Sequence, residues 1–150
     1  MWPIIDEFVY LGRLSDACTP SILLDYGITH LVNLTTTKLI LDDSFEILHL
    51  PLRDSLDENI VDIFDETNRF IRQCEEEKKG RCLVFCKHAR SRSVSILLAY
   101  LMKYHDHSLK SAYQILVEIH PQIQPNRNYF KQLHKYSSQL NRTVYPFISS

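Results

Sequence analysis

One cysteine and one arginine, Cys86 and Arg92, lie six residues apart in a loop that joins two apolar segments. The segment before the loop, 82–85, is short and predicts a buried strand, whereas the segment after it, 94–102, is typical of a buried helix. Such a loop turns its backbone N–H groups towards one point, and the start of the helix adds a positive partial charge. The sequence therefore predicts a binding site for an anion the size of phosphate.

The thiol of Cys86 is a useful nucleophile when it is ionised. Backbone amides, a helix N-terminus and the guanidinium groups of Arg90 and Arg92 all favour the thiolate. Arg92 can also hold two phosphate oxygens with its planar guanidinium group, which a lysine cannot do. Attack by the thiolate on phosphorus would form a phosphocysteine and expel an alkoxide or a phenoxide. Ser93 could donate a hydrogen bond to the thiolate when it leaves in the second step.

The leaving oxygen needs a proton, which a carboxylic acid can supply. Asp54 is the first candidate for this general acid, because it lies in a loop where a predicted strand ends, and such loops form the sites of α/β proteins. Asp57, in the same loop, is the second candidate. The same carboxylate could then activate the water molecule that releases phosphate.

The charges around the cysteine loop agree with an anion site. From Lys78 to Lys103 the chain has seven Lys or Arg residues and no Asp or Glu, although its net charge is −1. A local basic stretch in a nearly neutral chain favours a small-anion site over a general nucleic-acid surface, so nucleic acid is not expected as a partner. The alternative is chance clustering on a solvated surface. The flanking apolar segments argue against it, because they bury both sides of the loop.

Strand and helix signals alternate along the chain, which predicts an α/β domain with a mixed, mostly parallel central sheet and helices on both faces. The predicted strands cover 8–12, 30–34, 45–50 and 82–85. The predicted helices cover 19–26, 59–78 and 94–102, and two more begin at Ser108 and Asn126. A chain of 150 residues is expected to form one domain, 1–150, with a loose tail from about residue 142.

Composition limits the function further. The four cysteines match neither a zinc-binding pattern nor a dense disulfide framework, so no metal and no other cofactor is expected. No segment has the length of a transmembrane helix or the pattern of a signal peptide. The expected compartment is therefore the cytosol or the nucleus, without a membrane anchor.

Residues 85–93 resemble the signature of the dual-specificity phosphatases, a family of cysteine-dependent phosphatases. The family signature is His-Cys-x-x-Gly-x-Ser-Arg-Ser, and this chain reads Phe-Cys-Lys-His-Ala-Arg-Ser-Arg-Ser. Further similarities lie at 10–17, 27–34 and 125–133, and Asp54 stands at the position of the family's general acid. The resemblance therefore extends over most of the chain.

The resemblance implies a phosphatase-like fold and a small, single-domain enzyme that acts on phosphorylated proteins. It implies hydrolysis of phosphotyrosine and of phosphoserine or phosphothreonine through a phosphocysteine intermediate. The expected catalytic residues are Cys86, Arg92, Asp54 and Ser93. The expected substrate-binding residues follow the cysteine in the loop and are Lys87, His88, Ala89, Arg90, Ser91 and Arg92.

Two positions depart from the family signature. Phe85 replaces the histidine that organises hydrogen bonds around the cysteine loop, and Ala89 replaces a glycine. If Ala89 needs a positive φ angle, the cost is on the order of 1 kcal/mol. These departures predict a slow enzyme, and they keep open the alternative of a weakly active or inactive relative that binds phosphorylated partners. A third hypothesis is another Cys-x5-Arg chemistry, such as sulfur transfer or arsenate reduction, against which Asp54 argues.

The side chains that follow Cys86 bear on the substrate. Lys87, His88 and Arg90 give the expected pocket a basic rim, which acidic peptides, phosphoinositides and RNA 5′-phosphates would all suit. The family's shallow pocket implies phosphotyrosine together with phosphoserine or phosphothreonine. The choice among these substrates and the oligomeric state stay open at the level of sequence.

Overall fold

A computed structural model describes the backbone of residues 1–144 and the side chains of residues 1–141, and its centre is a five-stranded sheet. The strands are β1 (Trp2–Ile5), β2 (Val9–Arg13), β3 (His30–Asn33), β4 (Glu46–His49) and β5 (Cys82–Cys86). The helices are α1 (Leu14–Ala17), α2 (Pro20–Asp25), α3 (Phe64–Glu76), α4 (Arg92–Tyr104), α5 (Leu109–Ile119) and α6 (Arg127–Val144).

The strands lie in the order β1-β2-β5-β3-β4. β1 pairs antiparallel with β2, and the other three pairs are parallel. The expectation of a mixed, mostly parallel sheet is therefore confirmed. Because β5 is the central strand, its last residue, Cys86, lies at the carboxyl edge of the sheet between β2 and β3, where α/β proteins bind their ligands.

Different helices cover the two faces of the sheet, as the sequence predicts. Side chains of successive strand residues point to opposite faces. In β5, Leu83 and Phe85 pack in one apolar cluster with Ala17 of α1 and Leu23 of α2. The other residues of β5 belong to the larger core, to which α3, α4, α5 and α6 contribute. Among the described residues, no helix is both long enough and apolar enough to cross a membrane.

Helix α4, which follows the cysteine loop, is deeply buried. Every residue from Ser93 to Met102 is buried, because α4 packs against the sheet on one side and α3, α5 and α6 on the others. The helix begins at Arg92, two residues before the predicted start. Its N-terminal end therefore lies directly behind the loop that leaves β5.

Two elements differ from the sequence prediction. Strand β1 was not predicted, since Pro3 interrupts its hydrophobic alternation; Pro3 is tolerated because β1 is an edge strand. The helix expected from residue 59 starts instead with a 3₁₀ turn at Ile60–Ile63 and becomes α-helical at Phe64. β-Branched residues in that turn favour helix only weakly, and the Val61 N–H donates to Gln132 Oε1 of α6 at 2.9 Å.

The end of the chain also differs in part. Helix α6 continues through Val144, past the expected start of a loose tail at residue 142. A continuous helix is favoured there because the preceding turns bury one side of α6, including Leu133 and Tyr136, in the main core. The rest of the expected tail, 145–150, lies outside the described residues.

We predict that Gly80→Ala destabilises the domain, because Gly80 leads the chain from α3 into β5. A Cβ atom at Gly80 would lie 2.1 Å from the carbonyl oxygen of Cys74, and a backbone oxygen cannot rotate away. Urea denaturation should show a free energy of unfolding lowered by about 1–3 kcal/mol. Lys79→Ala is the control, because Lys79 lies next to Gly80 but is exposed, so its effect should be smaller. Equal stability of Gly80→Ala and wild type would contradict the packing described here.

Candidate active site

The loop between β5 and α4 brings the predicted nucleophile and its hydroxyl partner together. Cys86 closes β5 and is 2% exposed. Its Sγ lies 3.1 Å from Oγ of Ser93, which is buried in the first turn of α4. When Cys86 is a thiolate, Ser93 must be the donor of this hydrogen bond, since a thiolate has no proton to give.

Ala89 forces the loop through an unusual conformation. Its φ angle is +56°, in the left-handed region, and its methyl group is fully buried. Ala89 thus needs the positive φ angle that the sequence analysis considered. This backbone conformation costs roughly 1–2 kcal/mol for a residue other than glycine. Hydrogen bonds from the chain between α5 and α6 hold the loop in place. The Gln124 N–H donates to the Arg90 carbonyl at 2.7 Å, and the Asn126 N–H donates to Ser91 Oγ at 3.0 Å.

His120 contacts the backbone of the cysteine loop at Ala89. The ring is 4% exposed and stacks on Trp2 of β1 with centroids 3.8 Å apart. Burial, followed by the positive charge of Arg13, lowers the pKa of His120, and a hydrogen bond with the Ala89 backbone opposes that shift. The imidazole is therefore neutral at neutral pH. A role for His120 could not be predicted from the sequence, because its partners Trp2 and Ala89 lie far from it along the chain.

Arg92 lines the cleft, and a hydrogen bond to the backbone holds one nitrogen of its guanidinium group. Its Nη1 donates to the Leu52 carbonyl at 2.9 Å. Its Nε is buried and has no hydrogen-bond partner among the described residues. A buried donor without a partner is costly, and an oxyanion in the cleft would satisfy it. This arrangement suits the two-pronged binding of phosphate oxygens expected for Arg92.

A cleft of about 520 Å³ opens over the loop. Six of the sequence-predicted site residues line it, namely Asp54, Cys86, His88, Arg90, Ser91 and Arg92. Five further lining residues were not predicted as site residues, namely Leu56, Gln124, Pro125, Asn126 and Arg127. Only the Pro125-Asn126 pair gave a signal in the sequence, as part of the family resemblance.

The remaining predicted residues lie around the cleft without lining it. Ala89 is buried within the loop, Ser93 is buried in the first turn of α4, and Lys87 is exposed. Asp57, the second candidate for the general acid, is exposed and does not line the cleft, whereas Asp54 does. The geometry thus favours Asp54 over Asp57 as the proton donor.

The loop that carries Asp54 is attached to the start of α6. Asn126 Nδ2 donates to Asp54 Oδ1 at 2.9 Å, and the Tyr129 hydroxyl donates to the Arg53 carbonyl. Burial, followed by the negative charges of Asp54 and Glu58, raises the pKa of Tyr129 to about 12. Tyr129 therefore keeps its proton and remains a hydrogen-bond donor at neutral pH.

Phe85 occupies the position of the family histidine but does not face the site. Its ring is fully buried in the apolar cluster with Leu83, on the face of the sheet covered by α1 and α2. Cys86, the next residue, belongs to the opposite core. The phenylalanine thus contributes packing in place of hydrogen bonds, and the support of the loop comes from the segment 120–126.

The family model of the dual specificity phosphatase catalytic domain matches residues 9–139. The chain belongs to the dual specificity phosphatase family. Dual specificity protein phosphatase 18 of Pongo abelii is 33% identical over 137 residues, which cover 91% of this chain and 72% of that protein. MAP kinase phosphatase with leucine-rich repeats protein 1 of Dictyostelium discoideum is 32% identical over 139 residues, which cover 93% of this chain and 16% of that protein.

Solved structures of dual specificity phosphatases share the fold. A mouse putative dual specificity phosphatase, crystallised in complex with zinc tungstate, superimposes with a TM-score of 0.89 at 28% identity and covers 95% of this chain and 89% of that one. The chain spans 16%, 29% and 19% of the length of three Dictyostelium relatives that it matches. The similarity to those longer proteins is therefore confined to one segment of each.

We predict that Arg92→Lys weakens the binding of inorganic tungstate, because lysine keeps the charge but loses the planar, two-pronged donor. The loss of one charge-assisted hydrogen bond, about 1.5–3 kcal/mol, corresponds to about 10- to 150-fold weaker affinity by calorimetry. Arg72→Lys is the matched control, since Arg72 pairs with Glu76 on α3 and does not line the cleft. Unchanged tungstate affinity in Arg92→Lys would remove Arg92 from the anion site.

Proposed function

We propose that this chain is a protein phosphatase that hydrolyses phosphotyrosine and phosphoserine or phosphothreonine through a phosphocysteine intermediate. One observation carries the proposal: Cys86, Arg92 and Asp54 line one cleft, and Ser93 Oγ lies 3.1 Å from Cys86 Sγ. A nucleophile, an oxyanion clamp, a proton donor and a hydrogen-bond donor for the leaving thiolate are the groups that two-step phosphate transfer needs. Membership of the dual specificity phosphatase family supports the same activity.

In the first step, the phosphate group binds to the loop amides and to Arg92. The Cys86 thiolate attacks phosphorus, a sulfur–phosphorus bond forms, and the bond from phosphorus to the ester oxygen breaks. The leaving oxygen takes a proton from the carboxylic acid of Asp54. Arg92 and the N-terminal end of α4 stabilise the negative charge that the phosphoryl oxygens carry in the transition state.

In the second step, water attacks phosphorus and the sulfur–phosphorus bond breaks. Asp54, now a carboxylate, takes the proton of the attacking water, which returns Asp54 to its acid form. The sulfur leaves as a thiolate, and Ser93 donates a hydrogen bond to it. Inorganic phosphate is released, and the protein is ready for another cycle with no change in oxidation state.

The cleft favours substrates with negative charge next to the phosphorylated residue. Arg90 and Arg127 line it and form no ion pair within the described part of the chain, and His88 adds a third basic group. Asp54 is the one acidic residue among the lining residues. Leu56, which is 55% exposed, offers an apolar contact at the same rim. A phosphopeptide with acidic flanking residues would fit this pattern.

Two features favour an enzyme over a relative that only binds phosphorylated partners. Binding alone needs Arg92 and the loop amides, but it does not need a carboxyl group beside the thiol, and Asp54 lines the cleft. The hydrogen bond between Ser93 Oγ and Cys86 Sγ would assist a leaving sulfur, and that role requires a covalent intermediate. The tungstate complex of the mouse relative supports the binding of tetrahedral oxyanions in this fold.

We predict that Cys86→Ser abolishes turnover of a phosphotyrosine peptide and still binds that peptide, because a serine hydroxyl is a weak nucleophile without an adjacent base. Turnover is measured by phosphate release, and binding is measured by fluorescence anisotropy. Cys18→Ser is the matched control, because Cys18 is an exposed free cysteine that does not line the cleft. Appreciable turnover by Cys86→Ser would rule out the covalent mechanism.

We predict that Asp54→Asn slows hydrolysis in proportion to the basicity of the leaving group. Phenyl phosphate has a poor leaving group and should lose about 10²–10⁴-fold in kcat/KM, the usual contribution of a general acid. p-Nitrophenyl phosphate has a good leaving group and should lose much less. Asp57→Asn is the control, since Asp57 does not line the cleft. Equal slowing of both esters by Asp54→Asn would assign the proton donation elsewhere.

A further inference from the structure

Asp54 is an exposed residue on an irregular loop, yet its carboxyl group is held in one orientation. A free aspartate side chain on such a loop has several rotamers, and restricting it costs entropy. Here Asn126 Nδ2 donates to Asp54 Oδ1 at 2.9 Å and to the Ser55 carbonyl at 3.1 Å. Asn126 therefore fixes both the side chain of the proton donor and the backbone next to it.

The amide of Asn126 can adopt only one of its two flipped orientations. The Tyr129 backbone N–H donates to Asn126 Oδ1 at 2.8 Å, so the oxygen must face α6 and the NH₂ group must face Asp54. The Asn126 backbone N–H donates in turn to Ser91 Oγ of the phosphate-binding loop at 3.0 Å. One residue thus contacts the acid loop, the phosphate-binding loop and α6.

This orientation decides which oxygen of Asp54 carries the transferable proton. In a carboxylic acid the carbonyl oxygen accepts hydrogen bonds better than the hydroxyl oxygen does, so the contact with Asn126 favours Oδ1 as the carbonyl oxygen and Oδ2 as the oxygen that carries the proton. In the transfer, the Oδ2–H bond breaks, the leaving oxygen gains the proton, and Asp54 becomes a carboxylate. The same hydrogen bond then helps to stabilise that carboxylate.

We propose that Asn126 is a positioning residue for the general acid, and that the Tyr129 hydroxyl assists it by holding the Arg53 carbonyl immediately before Asp54. The inference rests on the proposed function, because it assigns Asn126 a part in the proton transfer of that reaction. Tyr129 is fully buried, so its hydroxyl is a rigid anchor. Through these two contacts the acid loop takes its catalytic position from α6.

A purely structural role for Asn126 makes a different prediction. Asn126 Oδ1 caps the N-terminus of α6, and a serine can supply such a capping oxygen almost as well as an asparagine. Asn126→Ser therefore keeps the cap and removes the NH₂ group that contacts Asp54. If Asn126 acts only as a cap, this variant should behave like wild type in both stability and leaving-group dependence.

The test measures kcat/KM for phenyl phosphate and p-nitrophenyl phosphate with wild type, Asn126→Ser, Asp54→Asn and the double variant. We expect Asn126→Ser to slow phenyl phosphate by about 10- to 100-fold, the scale of a misplaced catalytic group, and p-nitrophenyl phosphate far less. In the Asp54→Asn background, Asn126→Ser should add no selective loss, because the group that it positions is already gone. Asn59→Ala is the matched control, since Asn59 donates to the Asp62 carboxylate at 2.9 Å and neither residue lines the cleft.

Tyr129→Phe provides a second, independent variant, because it keeps the buried ring and removes only the hydroxyl. It should shift the ratio of the two rates in the same direction, with an unchanged circular dichroism spectrum. Equal slowing of both esters by Asn126→Ser, or a selective loss that persists in the Asp54→Asn background, would overturn the positioning role while leaving the phosphatase intact. Absence of ester hydrolysis by wild type would overturn the proposed function and this inference together.

Discussion

A short link, residues 87–91, joins β5 to α4, because β5 ends at Cys86 and α4 begins at Arg92. β5 is the central strand and α4 is buried on all sides, so neither end of the link can move without disturbing the core. The short link therefore has to turn tightly, with Ala89 at a φ angle of +56°, directly before the N-terminal end of α4. The anion site is in this sense a consequence of the packing of β5 and α4.

Phe85 and Ala89 show how the chain departs from its family without losing this arrangement. Phe85 faces the cluster under α1 and α2, where an apolar ring adds buried surface. Ala89 accepts backbone strain in a fully buried position, where the surrounding structure can hold it. The hydrogen bonds from Gln124 and Asn126 reach the same loop from outside. Neither departure removes Cys86, Arg92, Ser93 or Asp54, on which the proposed chemistry depends.

Local signals explain what the sequence predicts well and what it does not. The apolar strand 82–85, the following helix and the Cys86–Arg92 spacing are contiguous, so their relation survives folding and could be predicted. Asp54 could be predicted from the end of a strand and from the family resemblance. The contacts of Asn126 with Asp54 join residues 72 positions apart, and only the packing of α6 brings them together. The contact of the Tyr129 hydroxyl with the Arg53 carbonyl depends on the same packing, so a role for that hydroxyl could not be predicted from the sequence.

The free site carries an electrostatic cost that the proposed phosphorylated substrate would remove. Arg90, Arg92 and Arg127 line one cleft with a single carboxylate, Asp54, so positive charges outnumber negative charges there. Arg92 Nε is buried without a partner among the described residues, which adds the cost of an unsatisfied donor. A bound phosphate dianion would relieve both costs at once, and most fully in the proposed transition state, where negative charge spreads over the phosphoryl oxygens. Under the proposed function, the groups that lack a negatively charged or hydrogen-bonding partner in the free protein would therefore supply the binding energy that catalysis uses.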